Sequence, residues 1–325
     1  MSVINPHTSR APGIILTAGI YNTDHTNHVT NATTLNTDKV ETSRAIATGT
    51  GLQGGGNLTA DRTLSIDFAN PVFSAPNCNR LTKSGANLLL SGYNGNSITI
   101  NGTTYAIPSS GPTLVPTPLT PGTTYFIYAF ISASVITLEA STTAHATSTS
   151  TGLEIKSGDA TRTLVGMARV ITGPAWVDTA AQRFVVSYFN RRDIRAQNVF
   201  AADRTTASAT VVEMSSTERA EFLTWADTDV LASGTIYGST TGAAGTAIDA
   251  AVGIDGTTLI DGLHVVVAEP VISFNVNLSL PAVGQRLTEG FHFATLLGFV
   301  AAGTLTFVGS ATVGLRSAVQ ATIQG

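Results

Sequence analysis

The chain has 325 residues, of which 12% are charged and 43% hydrophobic, and a formal net charge of −4. The charged share is about half that of ordinary soluble domains. The acidic balance, with no basic stripe, argues against nucleic-acid binding. The single cysteine, Cys78, rules out an intrachain disulfide and any multi-cysteine metal site.

Residues 1–45 read as an extended arm. "NPHTSRAPGI" carries two prolines, and "YNTDHTNHVTNATTLNTDKV" is rich in Asn and Thr without apolar periodicity. Such a segment buries too little apolar surface to offset its own ordering entropy. Met1–Arg10 has no apolar run behind a basic start, so no secretory leader is expected there. Asp24, His25 and His28 invite a metal reading. One chain supplies few ligands there, and an axial site fed by symmetry-related copies is the form it would take. Solvated polar side chains are the plainer expectation.

The stretch "GTGLQGGGNLTADRTLSID" holds a G-x-G-x-x-G at Gly49, Gly51 and Gly54. A phosphate-binding fingerprint needs a helix behind its glycines. Here Leu64 and Ile66 alternate with Thr63, Ser65 and Asp67, the period of a strand. The glycines are therefore expected to form a tight, irregular backbone that closes onto a short strand, not a nucleotide cradle. Further on, Asn101-Gly102 between Ile98, Ile100 and Tyr105 predicts a hairpin. Cys78 is expected to be a small buried apolar residue. "PSSGPTLVPTPLTP", residues 108–121, reads as a linker or domain edge.

Residues 111–195 are expected to form one β unit. In "TTYFIYAFIS", Tyr125, Ile127 and Ala129 share one face and Phe126, Tyr128 and Phe130 the other, which predicts a strand buried on both faces or with one face at an interface. "RRDIR" at 191–195 reads as a solvated joint. Residues 196–325 supply about eight further strands, enough for a two-sheet sandwich of jelly-roll type. Ser215 and Glu218 are spaced as a capping box, which predicts a short helix over "RAEFLTW". Gly290–Leu315 contains no charged residue, but its glycines predict two buried strands joined at Ala301-Ala302-Gly303, not a membrane span.

No catalytic constellation emerges. G-x-S-x-G and H-E-x-x-H are absent, and the six histidines are dispersed at 7, 25, 28, 145, 264 and 292. His264 and His292 fall in apolar strand patterns. Asp249, Asp255 and Asp261 lie near glycines and read as turn residues. A sugar-stacking tryptophan would have to be Trp176 or Trp225, and either is equally a core residue. No catalytic, cofactor-binding or metal role is assigned to any residue, and the chain is not expected to be an enzyme.

Three stretches in order carry a family resemblance: "TGTGLQGGGNLTADRTLSIDF", then "PGTTYFIYAF…ITLEAST…STGLEIKSGDATRTLVGMARV…SYFNRR", then "FLTWAD…AVGIDGTT…TEGFHFATLLGFVAAGTLTF". They cover most of residues 46–325 and resemble bacteriophage tail-fibre and spike-type virion proteins. The resemblance implies a structural protein of the virion, assembled in the host cytoplasm and commonly homotrimeric. It implies docking to tail, baseplate or capsid proteins through residues 1–45. It also implies adhesion to a host-surface glycan through the C-terminal β domains. A capsid-bound head fibre or decoration protein, and a polysaccharide depolymerase spike, are the alternatives. The expected architecture is all-β: an extended arm (1–45), a glycine-rich stalk (46–110), a β-sandwich module (111–195) and a jelly-roll-like C-terminal sandwich (196–325). Chain–chain burial would complete it as a trimer.

Overall fold

The computed structural model describes residues 18–37, 44–49, 52–66, 77–241, 246–259, 263–268, 275–310 and 315–325. Among the described residues the fold is all-β apart from one helix, and the chain divides into two units, Met1–Ser74 and Ala75–Gly325.

In the first unit the expected extended arm is corrected, because Ala18–Thr37 is an α-helix of 20 residues. Apolar periodicity reveals only amphipathic helices, and this one has no apolar stripe. Its few apolar residues are not gathered on one side, and it has no acidic residues in its first turn or basic ones in its last. Thr23, Thr26 and Thr30 each donate a hydroxyl to the carbonyl four residues back, on Gly19, Asn22 and Thr26, at 2.8 Å. These bonds tie up side chains that otherwise favour turns. They do not supply the packed face on which most helices in proteins depend.

The glycine-rich segment forms two miniature ladders, Ala45–Ile46 with Gly56–Asn57 and Leu52–Gln53 with Ser65–Ile66. This is the tight backbone expected, with no helix behind the glycines. Gly54 has φ +96°, and a Cβ there would lie 2.0 Å from the carbonyl oxygen of Thr63. Only glycine allows that approach. No described side chain between residues 18 and 66 is buried.

The second unit holds two apolar cores. Its middle sheet runs in the order Val135–Ser141, Thr124–Ser132, Asp159–Ile171, Glu154–Lys156, His145–Thr147, with Val185–Ser187 and Ala175–Trp176 also paired to Asp159–Ile171. The register of Thr124–Ser132 against Asp159–Ile171 shifts between Ile127 and Tyr128. As expected, the aromatic strand is covered on both faces. Tyr125, Ile127 and Ala129 pack with Leu81, Leu88, Leu90, Ile98 and Ile100, which come from the small hairpins ahead of it. Tyr128 faces the opposite way, into the terminal core.

The hairpin at Asn101-Gly102 forms as expected, both residues having positive φ, 48° and 75°. The proline-rich stretch is stitched down. Thr113–Leu114 pairs with Leu88–Leu89, and Trp176 donates its indole N–H to the Leu114 carbonyl at 3.0 Å.

The terminal region is a two-sheet sandwich. One sheet runs Gln182–Arg183, Ala220–Thr224, Gly290–Val300, Ala247–Ile254, His264–Ala268. The other runs Asp193–Val199, Ala318–Gln324, Asp229–Thr240, Leu305–Phe307, Arg204–Thr206, with Asn275–Arg286 along Asp229–Thr240. Phe222, Ile248, Ala250 and Leu296 of the first meet Val230, Ile236, Phe307 and Val319 of the second.

The uncharged stretch from Gly290 forms two strands as expected. Gly290–Val300 and Leu305–Phe307 lie in opposite sheets, with Gly303 at φ +80° in the turn between them. The helix expected after Ser215 is absent. Ala220–Thr224 is a strand, and Glu218 bonds Arg204 rather than capping a helix. Partners 14 residues away in sequence outcompete the local cap. "RRDIR" runs into the strand Asp193–Val199.

Gly166 marks the tightest point of the middle sheet. A Cβ there would lie 2.4 Å from Leu81 Cδ2 and 2.6 Å from the Val186 carbonyl oxygen. Gly166→Ala is expected to destabilise the second unit by about 2 kcal/mol or more, measured as a shift in the urea midpoint. An unchanged midpoint would show that the backbone gives way at no cost.

Candidate functional site

A group of ionisable and aromatic side chains lies where the middle sheet meets the terminal sandwich, with His145 at its centre. His145 begins the strand His145–Thr147, which pairs with Glu154–Lys156 in the register His145↔Lys156 and Thr147↔Glu154. That register makes Glu154 a diagonal neighbour of the histidine. His145 Nδ1 lies 2.5 Å from Glu154 Oε2. On the other side of the ring, Nε2 lies 3.0 and 3.2 Å from the two carboxylate oxygens of Glu289, which precedes strand Gly290–Val300.

Three aromatic rings close around the imidazole, with Phe126 at 5.5 Å and Tyr188 and Trp225 both at 6.3 Å between centroids. Tyr188 and Trp225 make a T-shaped pair at 5.3 Å, a favoured aromatic geometry. Trp225 donates its indole N–H to the Ser187 carbonyl at 3.2 Å. Arg191 stands over both rings, 4.9 Å from Tyr188 and 5.0 Å from Trp225, and pairs with Asp227 at 2.6 Å. Arg191 is thus packed into the joint, while Arg192, Asp193 and Arg195 of "RRDIR" are exposed.

The Glu289 hydrogen bond leads the effects on His145 and, with Glu154, raises its pKa to about 9 against the opposing pull of burial. Burial, followed by the charges of Glu289, Glu139 and Glu154, pushes the Tyr128 phenol well above its usual range. Tyr128 instead donates its hydroxyl to the Thr143 carbonyl at 2.8 Å. Beside this cluster, Glu139 receives Lys156 at 2.6 Å and Arg162 at 2.8 Å.

The other histidines divide between the two units. His25 and His28 lie three residues apart on the helix, both exposed, so the non-helical reading of that stretch is corrected. Among the described residues no group of three or more His, Cys, Asp or Glu is placed to hold a metal ion. His292 is buried in its strand, with Nδ1 2.5 Å from Asp255 and Nε2 2.8 Å from the Thr288 carbonyl. Asp255 is a turn residue as expected, with φ +54°, while Asp261 and His7 lie outside the described residues.

Asp249 is not a turn residue. It sits inside strand Ala247–Ile254, buried, with its Oδ2 3.6 Å from Nε2 of His264 on the adjacent strand. Asp249 Oδ1 and His264 Nδ1 are buried without hydrogen-bond partners. Burial raises the Asp249 pKa, and His264 only partly offsets it. A nearby glycine is a weak turn signal when the alternation of Ile248, Ala250 and Val252 continues through the position.

Trp176 and Trp225 are both core residues, 2% and 1% exposed, so neither offers a stacking face for a sugar. Cys78 is buried as expected, with Gly95 so close that a Cβ there would lie 2.7 Å from Cys78 Cβ. Sequence reasoning did not single out His145. The spacing to Glu154 is compatible with a hairpin, but Glu289 is 144 residues away and only the fold brings it in.

No helix among the described residues is long and apolar enough to cross a membrane. No family model and no curated protein matches the chain. Among solved structures, a search finds similarity to the glycoside hydrolase BuGH86 in complex with neoagarooctaose, at 9% identity and a TM-score of 0.25. The match covers 76% of this chain and 34% of the hydrolase, so the chain spans about a third of that protein's length. Infectious bursal disease virus VP2, from a subviral particle, is similar over 50% of this chain and 49% of its own, at 13% identity and a TM-score of 0.16. The structure of the Gx strain of that virus matches over 76% of both chains, at 14% identity and the same TM-score. Likeness at this level carries no argument about function.

Asp249→Asn removes a buried charge while keeping the side-chain shape. It is expected to leave the second unit as stable or to stabilise it by about 1 kcal/mol at neutral pH, measured by urea denaturation. A clear loss of stability would show that the carboxylate and the His264 ring form a net favourable pair.

Proposed function

We propose that the chain is a fibre- or spike-type structural protein of a bacteriophage particle, acting as a homotrimer. Its first unit docks to the virion, and its terminal sandwich meets the host surface, with a glycan as the expected receptor. The observation that carries this reading is the contrast between the two units. Residues 77–325 contain two apolar cores, while no described side chain between 18 and 66 is buried. In that stretch Leu52 and Leu64 are 45% and 48% exposed. Burial against other chains is what such a segment lacks, and sister copies together with a particle socket would supply it. The order of the three sequence stretches that resemble phage fibre proteins supports the same reading. A capsid-bound head fibre or decoration protein shares all these features and differs only in its socket.

A depolymerase spike is the second reading. It needs a free carboxylate pair in a groove. Two glutamates that share a site, Glu154 and Glu289, are both bound to His145.

Sedimentation equilibrium of the full chain is expected to give three times the monomer mass, and a monomer at micromolar concentration would contradict the proposal. On intact particles, a label is best placed at the exposed turn Ala133–Ser134, because Gly325 is buried and exchanges backbone hydrogen bonds with Arg192. Such a label is expected to lie distal to the attachment point. A label at the particle surface would support the decoration reading instead.

A further inference from the structure

The contacts of His145 fix a proton count. A carboxylate only accepts hydrogen bonds, and a neutral imidazole has one N–H to give. Here both ring nitrogens face carboxylates, Nδ1 facing Glu154 at 2.5 Å and Nε2 facing Glu289 at 3.0 Å. With both glutamates ionised, the arrangement is satisfied only if both nitrogens carry protons. The second oxygen of Glu154 is occupied by the Thr147 hydroxyl, so that carboxylate is held in place.

We propose that His145 is a proton-held clasp. As an imidazolium it bridges the hairpin His145–Lys156 of the middle sheet to Glu289 of the terminal sandwich, and it releases one of them when the ring loses a proton.

The surroundings fit a held cation. Phe126, Tyr188 and Trp225 pack around the ring and leave its side chain 21% exposed, so the two carboxylates act on it through little intervening water. The other charged groups nearby are already engaged. Arg191 is paired with Asp227, and Glu139 is paired with Lys156 and with Arg162, which also reaches Asp159. The Tyr128 and Tyr188 phenols are both shifted upward, chiefly by burial, and stay neutral beside the cluster. Two carboxylates therefore share one cation, and among the described residues His145 is the only basic side chain in ion-pair range of either.

The direction of the pH dependence follows. The pKa of His145 is raised from 6.5 to about 9 in the folded chain. The stability it contributes is fully present below pH 6.5 and is lost as the pH rises through about 9. An alkaline shift, not an acid one, opens the clasp.

Nitrogen-15 NMR of the full chain, with the histidine rings labelled, tests this directly. At pH 7.5 both nitrogens of His145 are expected to show protonated shifts, with a midpoint near 9. Glu289→Gln is expected to lower the midpoint by about one unit or more, and Glu154→Gln provides a second variant should the first fail to fold. The melting temperature of the wild type is expected to fall between pH 7 and 10 more steeply than that of His145→Gln. A neutral, singly protonated ring at pH 7.5 would overturn the proposal. So would melting profiles of wild type and His145→Gln that run parallel across that range.

Discussion

Ordering a polypeptide loses conformational entropy, and burial of apolar surface is the main term that offsets it. That constraint divides this chain. Residues 77–325 satisfy it twice, with one core beneath the middle sheet and another inside the terminal sandwich. The described side chains of residues 18–66 do not satisfy it at all. Among the described residues, the helix has no apolar stripe and the two ladders have two residue pairs each, so none of these elements carries a core of its own. The proposal of a fibre subunit rests on supplying that burial from other copies and from the particle.

Within the second unit, the aromatic strand Thr124–Ser132 and its long neighbour Asp159–Ile171 serve both cores. Alternation along the strand divides its side chains between them: Tyr125, Ile127 and Ala129 belong to the first core and Tyr128 to the second. Leu164, Met167 and Val186 accompany Tyr128 into the terminal core. The middle sheet and the sandwich are therefore joined by shared packing, with the His145 cluster as a polar seam beside it. Arg169 over Phe291 at 4.1 Å and the Phe184–Phe291 contact at 5.8 Å extend that seam with aromatic packing.

Much of the β architecture was legible in the sequence, because alternation and turn chemistry are local. Asn101-Gly102 specified a hairpin, and the glycines after Gly290 broke an uncharged run into two strands. Where the reading failed, a distant partner or a missing pattern was responsible. The helix Ala18–Thr37 has no stripe to detect. Glu218 resembled a cap until Arg204 was placed beside it. Asp249 resembled a turn residue because glycine lies four positions on, yet its strand runs through. His145 carried no local signal for Glu289, since no pattern within a hairpin reports a partner 144 residues away.

The central claim is that the leading helix is completed by other copies. Hydrogen–deuterium exchange of its amides, followed as a function of protein concentration, tests this most directly. The account predicts that exchange across residues 18–37 slows as the protein associates and becomes fast on dilution. Protection that is strong and unchanged at the lowest concentration, where only single chains exist, would contradict it.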